Sequence, residues 1–228
     1  MLTAIIVAAG SSKRVGFDKL FSKIGDRSVL EHALAAFEEA ESVSEIIVVC
    51  RDPKLVQDGI NRAGFRKVHA VIRGGKRRQD SVQFGLKVLT DNSAFVAVHD
   101  AARPLITPRE IERVFSAARK HDAAALAAPV TDTLKFADTN QVVSGSIDRQ
   151  NVFAMQTPQI FRRRLLVEAY EQVSKSSVTV TDEVSAIEHA CGRIVIVPAE
   201  DHNFKITYAS DLLLAEAILK QRAAAARA

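Results

Sequence analysis

An α/β fold with a mainly parallel sheet is what this sequence predicts, and three observations predict it. Apolar runs without alternation at 5–9, 45–50, 68–72 and 94–99 have the character of strands buried on both faces of a sheet. Segments with helical periodicity and helix-start signals lie between them, and strands alternating with helices at this spacing imply right-handed βαβ crossovers. Glycine-led loops rich in basic residues follow the first and third runs, at the strand ends where open α/β sheets gather ligands. The predicted architecture is Rossmann-like.

The first run, Ile5 to Ala9, breaks at Gly10 and is followed by Lys13, Arg14 and Lys19 in one loop. Gly10 allows a sharp turn and close approach to a ligand, loop N–H groups can face phosphate oxygens, Arg14 offers a planar fork and Lys19 a compact charge. A polyphosphate is the inferred ligand. The loop lacks both Gly-Lys-Ser/Thr and G-x-G-x-x-G, so it is neither of the two commonest phosphate loops.

Ser28 and Glu31 have capping-box spacing, and Val29, Leu30, Ala33, Leu34 and Phe37 fall on one helical face. Asp52-Pro53 starts the next helix with a cap and an N1 proline, and Gly64 ends it. Gly74-Gly75 leads a second basic loop, Lys76-Arg77-Arg78, which taken alone is a solvated turn; Ser81 can bond a base or cap the helix that Val82, Leu86 and Leu89 continue. The fourth run ends in His99-Asp100-Ala101-Ala102-Arg103-Pro104. An aspartate at a strand end facing two basic loops is placed to hold Mg²⁺ between phosphate oxygens, a loop cap or a salt bridge to Arg103 being the alternative.

Thr107 to Glu110 is a second capping box with proline at N1, with Ile111, Val114, Phe115 and Ala118 inward. A small-residue strand at 123–130 follows. Over 133–161 short alternating runs separated by Asp138-Thr139-Asn140 and Ser144-Gly145 predict an antiparallel excursion with hairpin turns, an arm that needs another surface to lie on, most simply a dimer partner. Helices at 162–173 and from Thr181, the latter capped by Thr181 and ended by Gly192, precede a final core strand at 193–197, an extended piece bearing Lys205 and an alanine-rich helix from Ser210. The chain, 1–228, reads as a single domain with the arm inside 133–161.

Composition narrows function. With 228 residues, 47% hydrophobic and 25% charged, the chain has an ordinary globular balance, and its apolar runs are too short to span a bilayer. No charged leader precedes the first strand, which predicts a cytoplasmic protein without a membrane partner. Cys50 and Cys191 lie outside any metal or disulfide pattern and are expected to be small core hydrophobes. A net charge of +4 is spread over separate loops, with no Trp and 2 Tyr to stack on bases, so anionic small molecules fit better than nucleic acid.

In order along nearly the whole chain, Ala8-Ala9-Gly10 with Arg14 and Lys19, Gly74-Gly75 with Asp80-Ser81-Val82, Asp100-Ala101-Ala102-Arg103-Pro104, Asp132-Thr133, Asp148-Arg149, Gln156 to Gln159, Thr181-Asp182-Glu183 and Asn203-Phe204-Lys205 resemble one family, the 2-C-methyl-D-erythritol 4-phosphate cytidylyltransferases of the non-mevalonate isoprenoid pathway. The resemblance implies a three-layer nucleotidyltransferase fold with a protruding β-arm, and transfer of CMP from CTP to a polyol phosphate with release of pyrophosphate. It implies Ala8, Ala9, Gly10, Gly75 and Ser81 as cytidine and loop contacts, Ala101 near the ribose, Asp100 as the Mg²⁺ ligand, and Arg14, Lys19 and Lys205 as catalytic, the first two as triphosphate clamps and Lys205 on the acceptor-phosphate side. Arg103, Thr133 and Thr181 are implied on the acceptor-phosphate side, joined by Arg149 from the neighbouring subunit of a homodimer formed through the arm. The family's Pro-Lys-Gln is Asp18-Lys19-Leu20 here, which removes a fixed φ and adds a carboxylate beside the clamp. Ribitol-5-phosphate cytidylyltransferases share the same motifs; sugar-1-phosphate and molybdopterin-type nucleotide transferases share only the opening loop, and a non-catalytic nucleotide-binding protein would not need Arg14, Lys19, Asp100 and Lys205 together.

Overall fold

The computed structural model describes residues 1–10, 19–176 and 178–225. β1 (Leu2–Ala8) is followed by a small hairpin of β2 (Lys23–Ile24) and β3 (Arg27–Ser28) that leads into α1 (Val29–Glu39). The capping box closes as expected: Glu31 N–H donates to Ser28 Oγ at 3.2 Å and Ser28 N–H to Glu31 Oε2 at 2.6 Å. β4 (Val43–Cys50) then feeds α2 (Pro53–Ala63), which Asp52 caps by accepting from Leu55 N–H at 3.1 Å and which Gly64 ends at φ 75°. Only a residue without Cβ takes that left-handed turn readily. β5 (Val68–Arg73), α3 (Arg78–Lys87), β6 (Phe95–Asp100), α4 (Pro108–His121) and β7 (Ala123–Pro129) continue the alternation.

β8 (Leu134–Ala137) and β9 (Val143–Ile147) pair with each other in a two-stranded antiparallel sheet, after which β10 (Phe153–Arg162), α5 (Arg163–Lys175), α6 (Glu183–His189), β11 (Val195–Pro198) and α7 (Ala209–Ala225) complete the chain. The central seven-stranded sheet has the order β11-β7-β10-β6-β1-β4-β5. Its pairings are parallel except that β10 runs antiparallel to both β6 and β7. The antiparallel excursion therefore divides: 134–147 forms a separate hairpin, while the run at 151–155, expected in the arm, enters a central strand. Phe153 to Met155 pair with β7, and the carboxyl half of the strand lies buried between β7 and β6.

Both faces of the sheet are covered, as the unalternating apolar runs require. Ala4 and Ile6 of β1 and Ile46 and Val48 of β4 join one apolar layer with α1 and α4, whereas Ile5, Ile47 and Val49 face the other with α3, α5 and α6. An added Cβ at Gly85 would lie 2.8 Å from Ile5, so glycine there lets α3 sit close on β1.

Several local expectations change. α6 is capped by Asp182, not Thr181, because the Asp182 carboxylate reaches Ser185 N–H at 3.0 Å. Thr107 caps α4, but Glu110 turns its carboxylate to Glu200 N–H at 3.2 Å instead of closing a box. β11 is an edge strand, and Cys191 is exposed in a turn at φ 57°, while Cys50 is buried as expected. Burial and then the charge of Asp52 push the Cys50 thiol up to about 11, consistent with an inert packing residue.

Candidate active site

The carboxyl ends of β1, β4, β5 and β6 open onto one cleft of about 1030 Å³. Ala9 and Gly10 line it from the first loop, Arg51 and Arg73 from the next two strand ends, Gly74 to Arg78 from the second loop, and Asp100 and Lys205 from the far side. Among the described residues, Lys19, Arg51, Arg73, Lys76, Arg77, Arg78 and Lys205 set seven cations against the carboxylates of Asp80 and Asp100, the charge balance of a polyanion site.

The second loop is locked by close approach. An added Cβ at Gly74 would lie 2.4 Å from the Ala9 Cβ and 2.8 Å from Ser81 Oγ, and one at Gly75 would lie 2.3 Å from the Asp80 Cβ. Gly75 N–H donates to Ser81 Oγ at 3.1 Å, and Ser81 Oγ donates to Arg77 O at 3.2 Å. Ser81 therefore braces the loop from inside α3 and does not cap the helix, whose N-cap is Arg77. The need for glycine falls at Gly74 and Gly75; among the described residues nothing lies within 4 Å of a Cβ added at Gly10.

Asp100 is the electrostatic centre. Its Oδ1 accepts from Arg78 Nε at 3.0 Å and its Oδ2 from Lys205 Nζ at 2.6 Å. Burial would raise this carboxyl, but the charge of Arg78 and then that of Lys205 outweigh it and hold Asp100 well below the usual carboxylate range. Arg78 also grips Glu183 with both remaining nitrogens, at 2.7 and 2.9 Å, and Tyr170 Oη donates to the same carboxylate at 2.9 Å. Asp100 N–H is aimed at Thr157 Oγ1 at 3.0 Å, and that hydroxyl shares a 3.0 Å bond with Nδ1 of the fully buried His99. Burial pushes His99 down to about 4, so a neutral imidazole braces the strand end.

The segment bearing Lys205 is anchored at several points. Asn203 donates to Gln156 Oε1 at 3.1 Å and Thr157 O at 2.9 Å, Arg103 donates to Asn203 O at 2.8 Å, and Ile206 N–H donates to Ala102 O at 2.8 Å. Lys19 Nζ reaches Ile206 O at 2.8 Å, so the first loop's lysine and Lys205 meet on one segment.

The cleft thus brings together Ala9, Gly10, Lys19, Gly75, Ser81, Asp100 and Lys205. Arg14, with Lys13 and Asp18, lies outside the described residues. Ala8 and Ala101 sit in the core beside the cleft, Ala101 fully buried with its N–H on Val7 O. Arg103 is tied to backbone carbonyls of Asn203 and Met155, and burial lowers its pKa. Thr133 and Arg149 flank the hairpin together at its open end, Arg149 donating to Thr131 O, and exposed Thr181 shares a 3.3 Å bond with Ser185 Oγ. The lone aspartate-to-Arg103 salt bridge weighed from sequence is replaced by pairs to Arg78 and Lys205. Arg78, Glu183 and Tyr170 escape sequence reasoning as a unit: Arg78 looks like one of three solvated basic residues, and Glu183, 105 positions away, like a helix-dipole acid.

No helix among the described residues is long and apolar enough to cross a membrane. A three-layer, mainly parallel sheet with an anion cleft at its strand ends defines the class: a nucleotide-handling α/β protein of Rossmann-like build. The sequence matches the family 2-C-methyl-D-erythritol 4-phosphate cytidylyltransferase across residues 2–221. A relative of that name from Alkaliphilus oremlandii is 37% identical over 225 residues, covering 96% of this chain and 95% of its own. The structure of 4-diphosphocytidyl-2C-methyl-D-erythritol synthase from Anaerococcus prevotii superposes with a TM-score of 0.83 at 31% identity, covering 96% of each chain. The 2-C-methyl-D-erythritol 4-phosphate cytidylyltransferase of Thermus thermophilus gives 0.78 at 30% identity, covering 95% of this chain and 98% of the other. This chain belongs to the 2-C-methyl-D-erythritol 4-phosphate cytidylyltransferase family, and is a nucleotidyltransferase.

Proposed function

We propose that this protein transfers CMP from CTP to 2-C-methyl-D-erythritol 4-phosphate, releasing pyrophosphate and giving 4-diphosphocytidyl-2-C-methyl-D-erythritol. The observation that carries the reading is the cleft in which Asp100 and Lys205 face the two glycine-led loops across a ring of cations. Gly74, Gly75 and Ser81 form a flat, braced backbone edge that suits a planar base, with Ala9 and Gly10 opposite. Lys19 and Arg14, both of the loop that follows Gly10 in sequence, are the triphosphate clamps.

The acceptor's phosphate monoester is largely a dianion at neutral pH. One of its oxygens attacks the α-phosphorus of CTP, the bond to the bridging oxygen of the departing pyrophosphate breaks, and no proton has to be removed first. A protein nucleophile is therefore unnecessary, and catalysis reduces to in-line positioning and stabilisation of charge on the equatorial oxygens. Lys205, held on its anchored segment, supplies one such charge, and Lys19 a second. Arg103 shapes the acceptor side by holding the Asn203 carbonyl, with Thr133, Thr181 and a neighbouring subunit's Arg149 completing the phosphate contacts.

Mg²⁺ fits this site by donor chemistry. Among the described residues no group of three or more His, Cys, Asp or Glu could cage a metal, and Mg²⁺ ordinarily takes one or two carboxylates plus water and substrate phosphates. Asp100 is the carboxylate that would hold it, through the Oδ2 that Lys205 pairs with here and would release on turning to a substrate phosphate, and the bound ion would neutralise charge on the triphosphate. The hairpin of β8 and β9 supports the homodimer reading, since Phe136, Val142 and Val143 are all more than half exposed on it. The reading also places the protein in the cytoplasm.

Pyrophosphate release from CTP and Mg²⁺, measured with methylerythritol 4-phosphate and ribitol 5-phosphate side by side and with ATP, GTP and UTP as controls, tests the proposal. Preference for methylerythritol phosphate supports it. Preference for ribitol phosphate keeps the chemistry but changes the acceptor, and no release with either overturns it.

A further inference from the structure

We infer that Arg78, clamped from behind by Glu183 and Tyr170, is the positioning residue that aims the Asp100 carboxylate into the cleft. Arg78 opens α3, and its guanidinium makes three charged contacts at once: Nε to Asp100 Oδ1 at 3.0 Å, and the two terminal nitrogens to the two oxygens of Glu183 at 2.7 and 2.9 Å. That is a fork on one carboxylate and a single bond to another, a geometry a lysine cannot reproduce. Glu183 is itself held from several sides. It is fully buried, it accepts from Tyr170 Oη at 2.9 Å, and its N–H donates to Gln159 Oε1 at 3.1 Å.

The consequence for Asp100 is orientation. Oδ1 is committed to Arg78, so Oδ2 alone turns toward Lys205 and the open side of the cleft. When Lys205 serves the acceptor phosphate, Arg78, itself gripped by Glu183, remains as the contact that holds a nearly buried carboxylate in place. Without Arg78, Lys205 would be the one cation left hydrogen-bonded to Asp100 among the described residues and would be drawn away from the acceptor. Arg78 acts through Asp100 and is not assigned a contact with substrate.

This inference rests on the cytidylyl-transfer reading, and the experiment separates the two. Turnover of CTP with methylerythritol 4-phosphate by the wild-type protein tests the reading. For the inference, Arg78→Lys keeps a cation beside Glu183 but not the fork. We expect it to fold, to keep its KM for CTP within about threefold, and to lose about ten- to a hundredfold in kcat, the scale at which small misplacement slows a reaction. The double variant Arg78→Gln with Glu183→Gln removes both charges together, so it should regain thermal stability relative to Arg78→Gln alone while kcat stays low. Recovery of kcat along with stability, kcat of Arg78→Lys within twofold of wild type, or failure of both variants to fold would assign Arg78 a structural role and overturn the inference. Independently of turnover, a crystal structure of Arg78→Lys should show the Asp100 carboxylate rotated with Glu183 in place; an unmoved carboxylate overturns it.

Discussion

Lys205 Nζ lies 2.6 Å from Asp100 Oδ2, so a residue of a late extended segment and one at the end of a central strand neutralise each other across 105 positions of sequence. Lys205→Ala removes a half-exposed cation from a segment that Asn203, Arg103 and Ile206 hold independently, and the fold should survive. Loss of one preorganised charge at the reacting phosphate should cut kcat by about a hundredfold or more, with binding of CTP retained. Steady-state kinetics and calorimetric CTP binding check this. Turnover near the wild-type rate would remove Lys205 from the mechanism.

Gly74→Ala tests the meeting of the two loops. The new methyl would stand 2.4 Å from the Ala9 Cβ and 2.8 Å from Ser81 Oγ, so either the first loop or the second must shift. Both form the nucleotide edge of the cleft. The KM for CTP should rise about tenfold or more, while the melting temperature falls by only a few degrees because both loops border open space. An unchanged KM would show that the loop contact does not bear on the nucleotide.

Glu110 supplies a pH dependence. Burial pushes its carboxyl up; Oε1 accepts Glu200 N–H at 3.2 Å, Oε2 has no hydrogen-bond partner among the described residues, and Asp201 and Arg113 act on it with opposite sign. An acid whose pKa is raised by folding stabilises the native state below the ordinary glutamate range, and that contribution is lost as pH rises through the folded value. Glu110→Gln is neutral throughout. Its melting temperature relative to wild type should therefore climb between pH 4 and pH 7. A difference that stays flat, or falls, would contradict the assigned direction.

The hairpin exposes Phe136, Val142 and Val143. If this surface joins two copies, Val143→Asp places an unpaired charge in the contact, and light scattering should show a dimer becoming a monomer with unaltered melting of the central domain. Turnover should fall with it, because Arg149 at the hairpin's far end is then withdrawn from the neighbouring site. A variant with the mass of the wild type would locate the interface elsewhere.

What the sequence determined by itself is local. Unalternating apolar runs such as Ile46 to Val49 specify strands covered on both faces, and Ser28 with Glu31, Asp52 with Pro53, and Gly64 specify helix ends, because those signals act within one or two turns of backbone. The cleft was legible to the same degree: Gly74, Gly75, Asp100 and Lys205 stand at the ends of recognisable strands or in a recognisable motif. Tertiary structure decided the rest. The antiparallel insertion of β10 between β6 and β7, and the use of Arg78 to bind Glu183 and Asp100 at once, depend on partners far apart in sequence. An arginine among three basic residues after a glycine pair has the same local signature whether it faces water or a buried carboxylate; packing of α3 and α6 against the sheet brings those carboxylates within reach, and their charge in a low-dielectric setting fixes which arginine they hold.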